Sequence, residues 1–375
     1  MGMILTDEQQ AILDGSRGET MAKVMKTLVM FGEAFHAEKM VPVTSRYNHL
    51  VTSFGLGVLQ PVYDLMQQLI DAGAVSGQKF SADPRPLDPN VPANLLQQLV
   101  FKKFMYNKQD FYEGQLQKLG LMDKDAFTCT CYMPEVGNKP EKGEILSWSE
   151  SSAVVYANSV LGARCNRNSG ILDIMGSIVG YVPYFGLLTD EGRKATWIVK
   201  IETSKKPEAQ LLGSAIGMKV MEDVPYVVGL DKWLGTELDD AELERVKASY
   251  PIIWKNKDAK PELCFIGCPH MSVQQLKDWT DAIEEKLRAN GLSKVTVPTV
   301  FTAAPAVIKA LKGTVYLDKL ATYGVVVSYI CPLMYMNNPL CKAMPVMTSS
   351  NKLRTYTTAR YYTEAEILEK ITKGA

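Results

Sequence analysis

The spacing of apolar and polar positions divides this chain into short helical and extended segments. Residues 6–35 predict a helical pair. Thr6 precedes Gln9 by three, the spacing of a capping box, and Gly15 and Gly18 interrupt the pattern. Ala22, Met25, Leu28, Val29 and Phe35 then recur at helical intervals. Residues 40–43 predict a strand, 44–57 a polar loop holding Arg46, Asn48, His49 and Ser53, and 62–72 an amphipathic helix. Residues 81–92 form a proline-rich loop, and 94–120 read as helix. Residues 127–133 predict a strand with Cys129 and Cys131 on one face, because side chains repeat every second residue.

The second half alternates in the same way. Strands are predicted at 196–202 and 224–228 around residues 209–221, where Gly213, Ser214, Ala215 and Gly217 point to close core packing. Residues 237–248 predict a charged surface helix. Residues 263–267 predict a buried strand ending at Cys268, Pro269 and His270, with Ser272 capping the helix that follows. Strands at 295–301, 324–330 and 345–350 and helices at 305–312 and 363–373 complete the chain, with Cys331 and Pro332 again ending a strand. This order predicts α/β layers with buried parallel strands, and junctions from strand to helix are where such layers hold ligands.

Composition narrows the class. The chain has 375 residues and zero formal net charge, which gives no electrostatic case for nucleic acid or an anionic membrane as partner. Neither a membrane-length apolar run nor a basic-then-apolar leader appears, so a cytoplasmic protein is expected. Seven cysteines without a secretion signal do not suggest a disulfide framework; buried structural thiols and soft-metal ligation both stay open. No dinucleotide fingerprint or P-loop occurs. His49 is alone in its loop, and such a histidine is more often hydrogen-bonded structure than catalyst.

The densest candidate chemistry lies at 147–188. Around Gly162 and Gly170 it gathers Asn158, Ser159, Arg164, Asn166, Arg167, Asn168 and Ser169. Guanidiniums recognise anions bidentately, and glycines let backbone approach a ligand, although the same residue types also build ordinary loops. The run ESSAVVYANSVLGARCNR followed by GYVPYFGL resembles the signature of the aconitase X family, with Cys165 where that family usually has Thr. The resemblance extends to LTDEQQAILDG at 5–15, TCTCY at 128–132, GCPHMS at 267–272, and CP at 331–332 with a later TSSNK. In the 81–92 loop, Asp83 and Arg85-Pro86 stand where the family has Asn and Ala-Gly.

That resemblance implies an aconitase-like large domain of layered, mostly parallel sheets with flanking helices over residues 1–375. It also implies a hydro-lyase that dehydrates a small hydroxy acid of the 5-phosphomevalonate or cis-3-hydroxy-L-proline type. An iron–sulfur cluster would act as Lewis acid on the leaving hydroxyl, held by Cys129, Cys331 and, in place of an absent C-terminal cysteine near Ile367, Cys268. Asn158, Ser159, Arg164, Asn166 and Arg167 would bind substrate, and Lys352 and Ser350 would be catalytic. The family's base lies in a small swivelling domain. The chain ends at Ala375, soon after the last large-domain feature, so a separate small subunit is the expected partner. The alternative is a binding or assembly subunit whose metal site has decayed.

Overall fold

In the computed structural model the N-terminal pair forms as Asp7–Leu13 and Glu19–Ala34. The Gln9 amide donates to Thr6 Oγ1 and the Thr6 amide to Gln9 Oε1, satisfying two helix-end donors reciprocally. The structure describes residues 2–201, 203, 206–220, 224–228 and 240–373. The chain divides into two units. The first comprises Met1–Gly192, Ala303–Gly313 and Ser328–Cys331; the second comprises Arg193–Thr302, Thr314–Val327 and Pro332–Ala375.

The first unit contains β1 (Met40–Pro42), β2 (Asn48–Leu50), β3 (Phe80–Ala82) and β4 (Tyr181–Pro183). β1 pairs antiparallel with β4, and β2 pairs parallel with β3, His49 opposite Ser81. Single parallel bridges extend the second pair, from His49 to Trp148 and from Ala82 to Phe127. Four segments therefore run side by side and finish at one edge, followed by 149–150, 51–53, 83–85 and 128–131. Met25, Leu28, Leu50, Tyr63, Phe80, Leu116 and Ile174 share the core beneath them. Burying each such side chain stabilises the unit by about 1.5–3 kcal/mol.

Three expectations for this unit need correction. The predicted loop 44–57 contains β2, which is fully buried. Its polar Asn48 is tolerated there because Oδ1 accepts from Ser45 Oγ and Nδ2 donates to Ser177 Oγ. The predicted strand 127–133 is a turn after Phe127. Thr128 Oγ1 accepts from the Thr130 amide at 3.0 Å, so a local side-chain bond replaces a ladder bond. The predicted helix 94–120 is broken into Leu95–Leu99, a π turn at Val100–Met105, and Gln109–Leu119. Its break follows from the 55–57 turn. The Gly57 amide donates to Met105 O and the Lys108 amide to Gly55 O.

The second unit contains β5 (Trp197–Lys200), β6 (Pro225–Val228), β7 (Leu263–Met271), β8 (Thr299–Ala303), β9 (Val325–Ser328), β10 (Val346–Thr348) and β11 (Arg360–Tyr361), except that the last residues of β8 and β9, Ala303 and Ser328, count to the first unit. β5 and β6 pair in parallel, and the other five form one sheet in the order β11-β10-β7-β8-β9. β10 runs parallel to both β7 and β11. Helices such as Val273–Ala289, capped by Ser272, flank the sheet through Leu276, Trp279, Ile283 and Leu287. β7 does not stop at Gly267 but continues to Met271 through a cis Cys268-Pro269 peptide.

Residues 209–220 form a helix that buries Leu211, Leu212, Ser214 and Ala215. Gly213 and Gly217 have nothing within 4 Å of an added Cβ, so the close packing expected at these glycines is absent. The helices Val315–Thr322, Pro332–Met336 and Asn351–Tyr356 were not predicted; the last two have only 5 and 6 residues. Parts of the predictions at 196–202, 209–221 and 237–248 (residues 202, 221 and 237–239) lie outside the described residues. Mostly parallel layers with flanking helices are the architecture expected. Among the described residues, no helix is long and apolar enough to cross a membrane.

Candidate active site

The carboxyl edge of β2 and β3 buries an ionisable cluster. His49 is fully buried, its Nδ1 lies 2.9 Å from Ser81 Oγ, and its Nε2 lies 3.4 Å from Asp83 Oδ1. Asn138 Nδ2 donates to both Ser81 Oγ and Asn48 O, fixing the serine from behind. The Trp148 ring meets the imidazole edge-on at 5.8 Å, while its Nε1 donates to Tyr47 O. Burial alone would lower the His49 pKa. The adjacent Cys131 thiol and the Asp83 carboxylate outweigh burial and raise it to about 10. With both ring nitrogens protonated, Nδ1–H faces Ser81 and Nε2–H faces Asp83. Asp83 is the more open member, its side chain 11% exposed against 0% for His49.

The 83–92 loop holds this arrangement still. Its amide end is tied to β2, since the Asp83 amide donates to Leu50 O. Arg85 makes a bidentate pair with Glu113, both bonds 2.9 Å, donates to Asp125 and Lys124 O, and stacks on Phe127. Asp88 accepts from Ser328 Oγ and from the Asn90 amide. Arg85 and Asp88 are thus anchors, and the loop is not a bare surface connection. The Thr128 amide donates to Ala82 O and the Cys331 amide to Arg85 O, so Cys129 and Cys331 enter beside the same short stretch. Burial chiefly pushes the Tyr132 phenol up, helped by Cys129, Cys131 and Glu150 nearby.

The signature stretch is mostly self-bracing. Glu150 has φ +85°, uncommon for a side-chain-bearing residue, and its Oε2 accepts from the Ala153 amide to cap the Ser151–Tyr156 helix. Asn158 Nδ2 donates to Val154 O and Cys165 O, and Asn158 Oδ1 accepts from the Cys165 amide. Ser159 Oγ donates to Val155 O. Asn166 ties itself to Phe185 O and the Leu187 amide. Arg164 donates to Leu188 O at 2.7 Å and pairs with Asp190, whereas Arg167 is exposed. Cys165 donates through its thiol to Trp148 O and Asn166 O, a role a threonine hydroxyl could fill. Burial pushes that thiol up, and burial also holds the Asp173 carboxyl well above the usual range beside Asn168 and Ser147.

Other candidates belong to the second unit. Ser350 caps the Asn351–Tyr356 helix by accepting from the Leu353 amide, and its hydroxyl donates to Cys268 O. Lys352 stands on that helix, half-buried. Cys268 is buried within β7. The expected cluster ligands are therefore divided, Cys129 and Cys331 in the first unit and Cys268 in the second. Ile367, where a third thiol was missed, is fully buried apolar core. Among the described residues no three His, Cys, Asp or Glu side chains form a group that could hold a metal. A cluster site needs three sulfurs around one centre, and the first unit supplies Cys129 and Cys331 toward it.

Sequence reasoning missed Ser81 and Asn138 altogether and gave His49 and Asp83 no assigned role. The parallel register that sets β2 beside β3 is not written in either segment alone.

The family model described as the aconitase X first domain matches residues 2–191, and the one described as the aconitase X third domain matches residues 261–371. A phosphomevalonate dehydratase large subunit of Thermococcus kodakarensis is 28% identical over 364 residues, covering 86% of each chain. A cis-3-hydroxy-L-proline dehydratase of Hypocrea jecorina is 37% identical over 111 residues, 28% of this chain and 18% of that one. The fold is also that of the holo-form crystal structure of Thermococcus kodakaraensis aconitase X. There the TM-score is 0.78 at 24% identity, covering 98% of this chain and all of the other.

Proposed function

The chain belongs to the aconitase X family, and from that premise we propose that it is the large subunit of a cytoplasmic hydro-lyase. Its substrate is a small phosphorylated hydroxy acid of the phosphomevalonate type. The observation that carries this reading is the match to a phosphomevalonate dehydratase large subunit along 86% of both chains; the hydroxyproline dehydratase match spans only 28% of this one. Residues 1–375 form the catalytic large-subunit portion, and a separate small subunit carries the swivelling domain.

Dehydration breaks a C–H and a C–O bond. A base on the small subunit takes the carbon-bound proton, and the freed electron pair forms the double bond. The C–O pair leaves with oxygen, which must gain a proton because hydroxide is a poor leaving group near neutral pH. The proton is held by the His49 imidazolium: the Asp83 carboxylate takes it from Nε2 as it passes it to the leaving oxygen, leaving a neutral imidazole whose position Ser81 and Asn138 fix. Arg164 or Arg167 is the proposed carboxylate clamp, both standing on the signature turn. Asn158, Ser159 and Asn166 shape the turn that presents it. In the second unit Lys352 and Ser350 remain the proposed polar groups.

An iron–sulfur centre would draw on Cys129 and Cys331 as thiolate donors and would act as a Lewis acid on the leaving hydroxyl. Iron and sulfide analysis after anaerobic purification decides whether one assembles. Cys165 in place of threonine and the buried Ile367 where the family has a thiol favour a second reading, a binding or assembly subunit without turnover.

The test is a water-loss assay with phosphomevalonate, using the full chain co-purified with its small subunit. Turnover is expected, and Asp83→Asn should lower kcat by roughly 10²–10⁴-fold with KM little changed. A complex that never consumes the substrate sinks the dehydratase reading. A complex whose Asp83→Asn variant keeps full kcat sinks only the acid assignment.

A further inference from the structure

Arg354, on the Asn351–Tyr356 helix just past the end of β10, is a half-buried cation with only neutral partners. Its Nε and Nη2 both donate to Asn351 Oδ1, at 3.1 and 2.6 Å, and Nη2 also donates to Thr355 Oγ1 at 3.1 Å. The guanidinium face lies 3.9 Å from the centre of the Tyr250 ring. Among the described residues no carboxylate pairs with it. Glu208, which acts on Tyr250 from nearby, is already engaged by the Tyr361 hydroxyl at 2.8 Å and the Glu364 amide at 2.5 Å.

A guanidinium carries five N–H donors in a planar fork. Three of these are used, so the two on Nη1 have no acceptor among the described residues. Removing a charge from water without a counter-ion is unfavourable, and stacking on one phenol ring offsets only part of that cost. Burial accordingly lowers the Arg354 pKa, opposed only by the phenols of Tyr250 and Tyr361. By contrast, Arg85 in the first unit is matched by Glu113 and Asp125. An arginine with an open edge is the usual means of gripping phosphate oxygens.

The geometry points to an anion subsite in the second unit, built on Arg354 over Tyr250 and taking a phosphate group. Asn351 fixes the fork by its Oδ1, and Gln210 Oε1 in turn accepts from the Asn351 amide. Those bonds hold Nη1 in place before any ligand arrives. This inference deepens the dehydratase reading, on which it rests only for which molecule carries the phosphate.

Thermal unfolding of the full chain in inorganic phosphate, acetate and chloride at matched ionic strength tests it. Phosphate should raise the midpoint of the wild-type chain, with acetate and chloride without effect. Arg354→Met should weaken phosphate binding by roughly 10–100-fold, with Arg354→Lys retaining part of it. Arg354→Lys also serves if the methionine variant does not fold. Protection that persists unchanged in both variants overturns the subsite, as does a wild-type chain indifferent to phosphate or protected equally by acetate. A variant that loses stability in buffer yet keeps its phosphate response marks Arg354 as packing only. In the co-purified complex, Arg354→Met should raise KM for phosphomevalonate and spare kcat. Absence of wild-type turnover would fail the dehydratase reading while leaving the phosphate titration to decide the subsite.

Discussion

Where β2 and β3 end, three charges are answered from within the first unit: His49 by the Asp83 carboxylate 3.4 Å away and by Ser81, Arg85 by Glu113 and Asp125, Asp88 by Ser328. Where β10 ends, Ser350 is spent on a helix cap and the Cys268 carbonyl, and Arg354 keeps one edge that no acceptor among the described residues meets. Both edges follow the same α/β rule that ligands meet the carboxyl ends of strands. The difference lies in what each can do unaided. A closed network sets the position and proton content of its own groups, which suits acid–base work. An open guanidinium is completed only by an anion from outside, which suits binding.

Three substitutions or conditions separate the edges. The largest effect is expected from Gly170→Ala. A Cβ there would sit 1.4 Å from Val51 O, so the Gly170–Val179 helix could no longer abut the end of β2. The clash is with backbone, which cannot rotate away, and a cost of about 3 kcal/mol or more is expected as a lower urea midpoint. An unchanged midpoint would mean that the first edge is not assembled on that contact.

Next comes alkaline pH. The folded-state pKa of His49, about 10, exceeds its ordinary 6.5, so the folded chain holds a proton that the unfolded chain releases. That contribution is complete below pH 6.5 and is lost as pH rises toward 10. The melting temperature should fall across this window. His49→Gln should flatten the fall, whereas Arg354→Met should leave it as it is. A wild-type chain equally stable at pH 7 and pH 10 would contradict the charged, paired histidine.

The smallest effect is a gain. Gly213 lies inside the Ala209–Val220 helix with open space around an added Cβ, so Gly213→Ala should stabilise the chain by about 0.5–1 kcal/mol. Equilibrium denaturation that registers a loss instead would place a close neighbour at that position.

The amino-acid order by itself determined the elements whose signals are local. The Thr6 and Ser272 capping boxes act within three residues, and the long amphipathic helices carry their own period. It also carried the family signature, because that signature is one continuous run. It did not determine that Asn48–Leu50 is a buried strand or that Arg164 is taken by Asp190. Those outcomes depend on partners up to 129 residues away, as with Asn48 and Ser177. The same holds for the proton-bearing pair, since His49 and Asp83 face each other only after β2 and β3 align in register. A polar residue in sequence declares what it can bond, but only the folded chain decides whether another residue reaches it first.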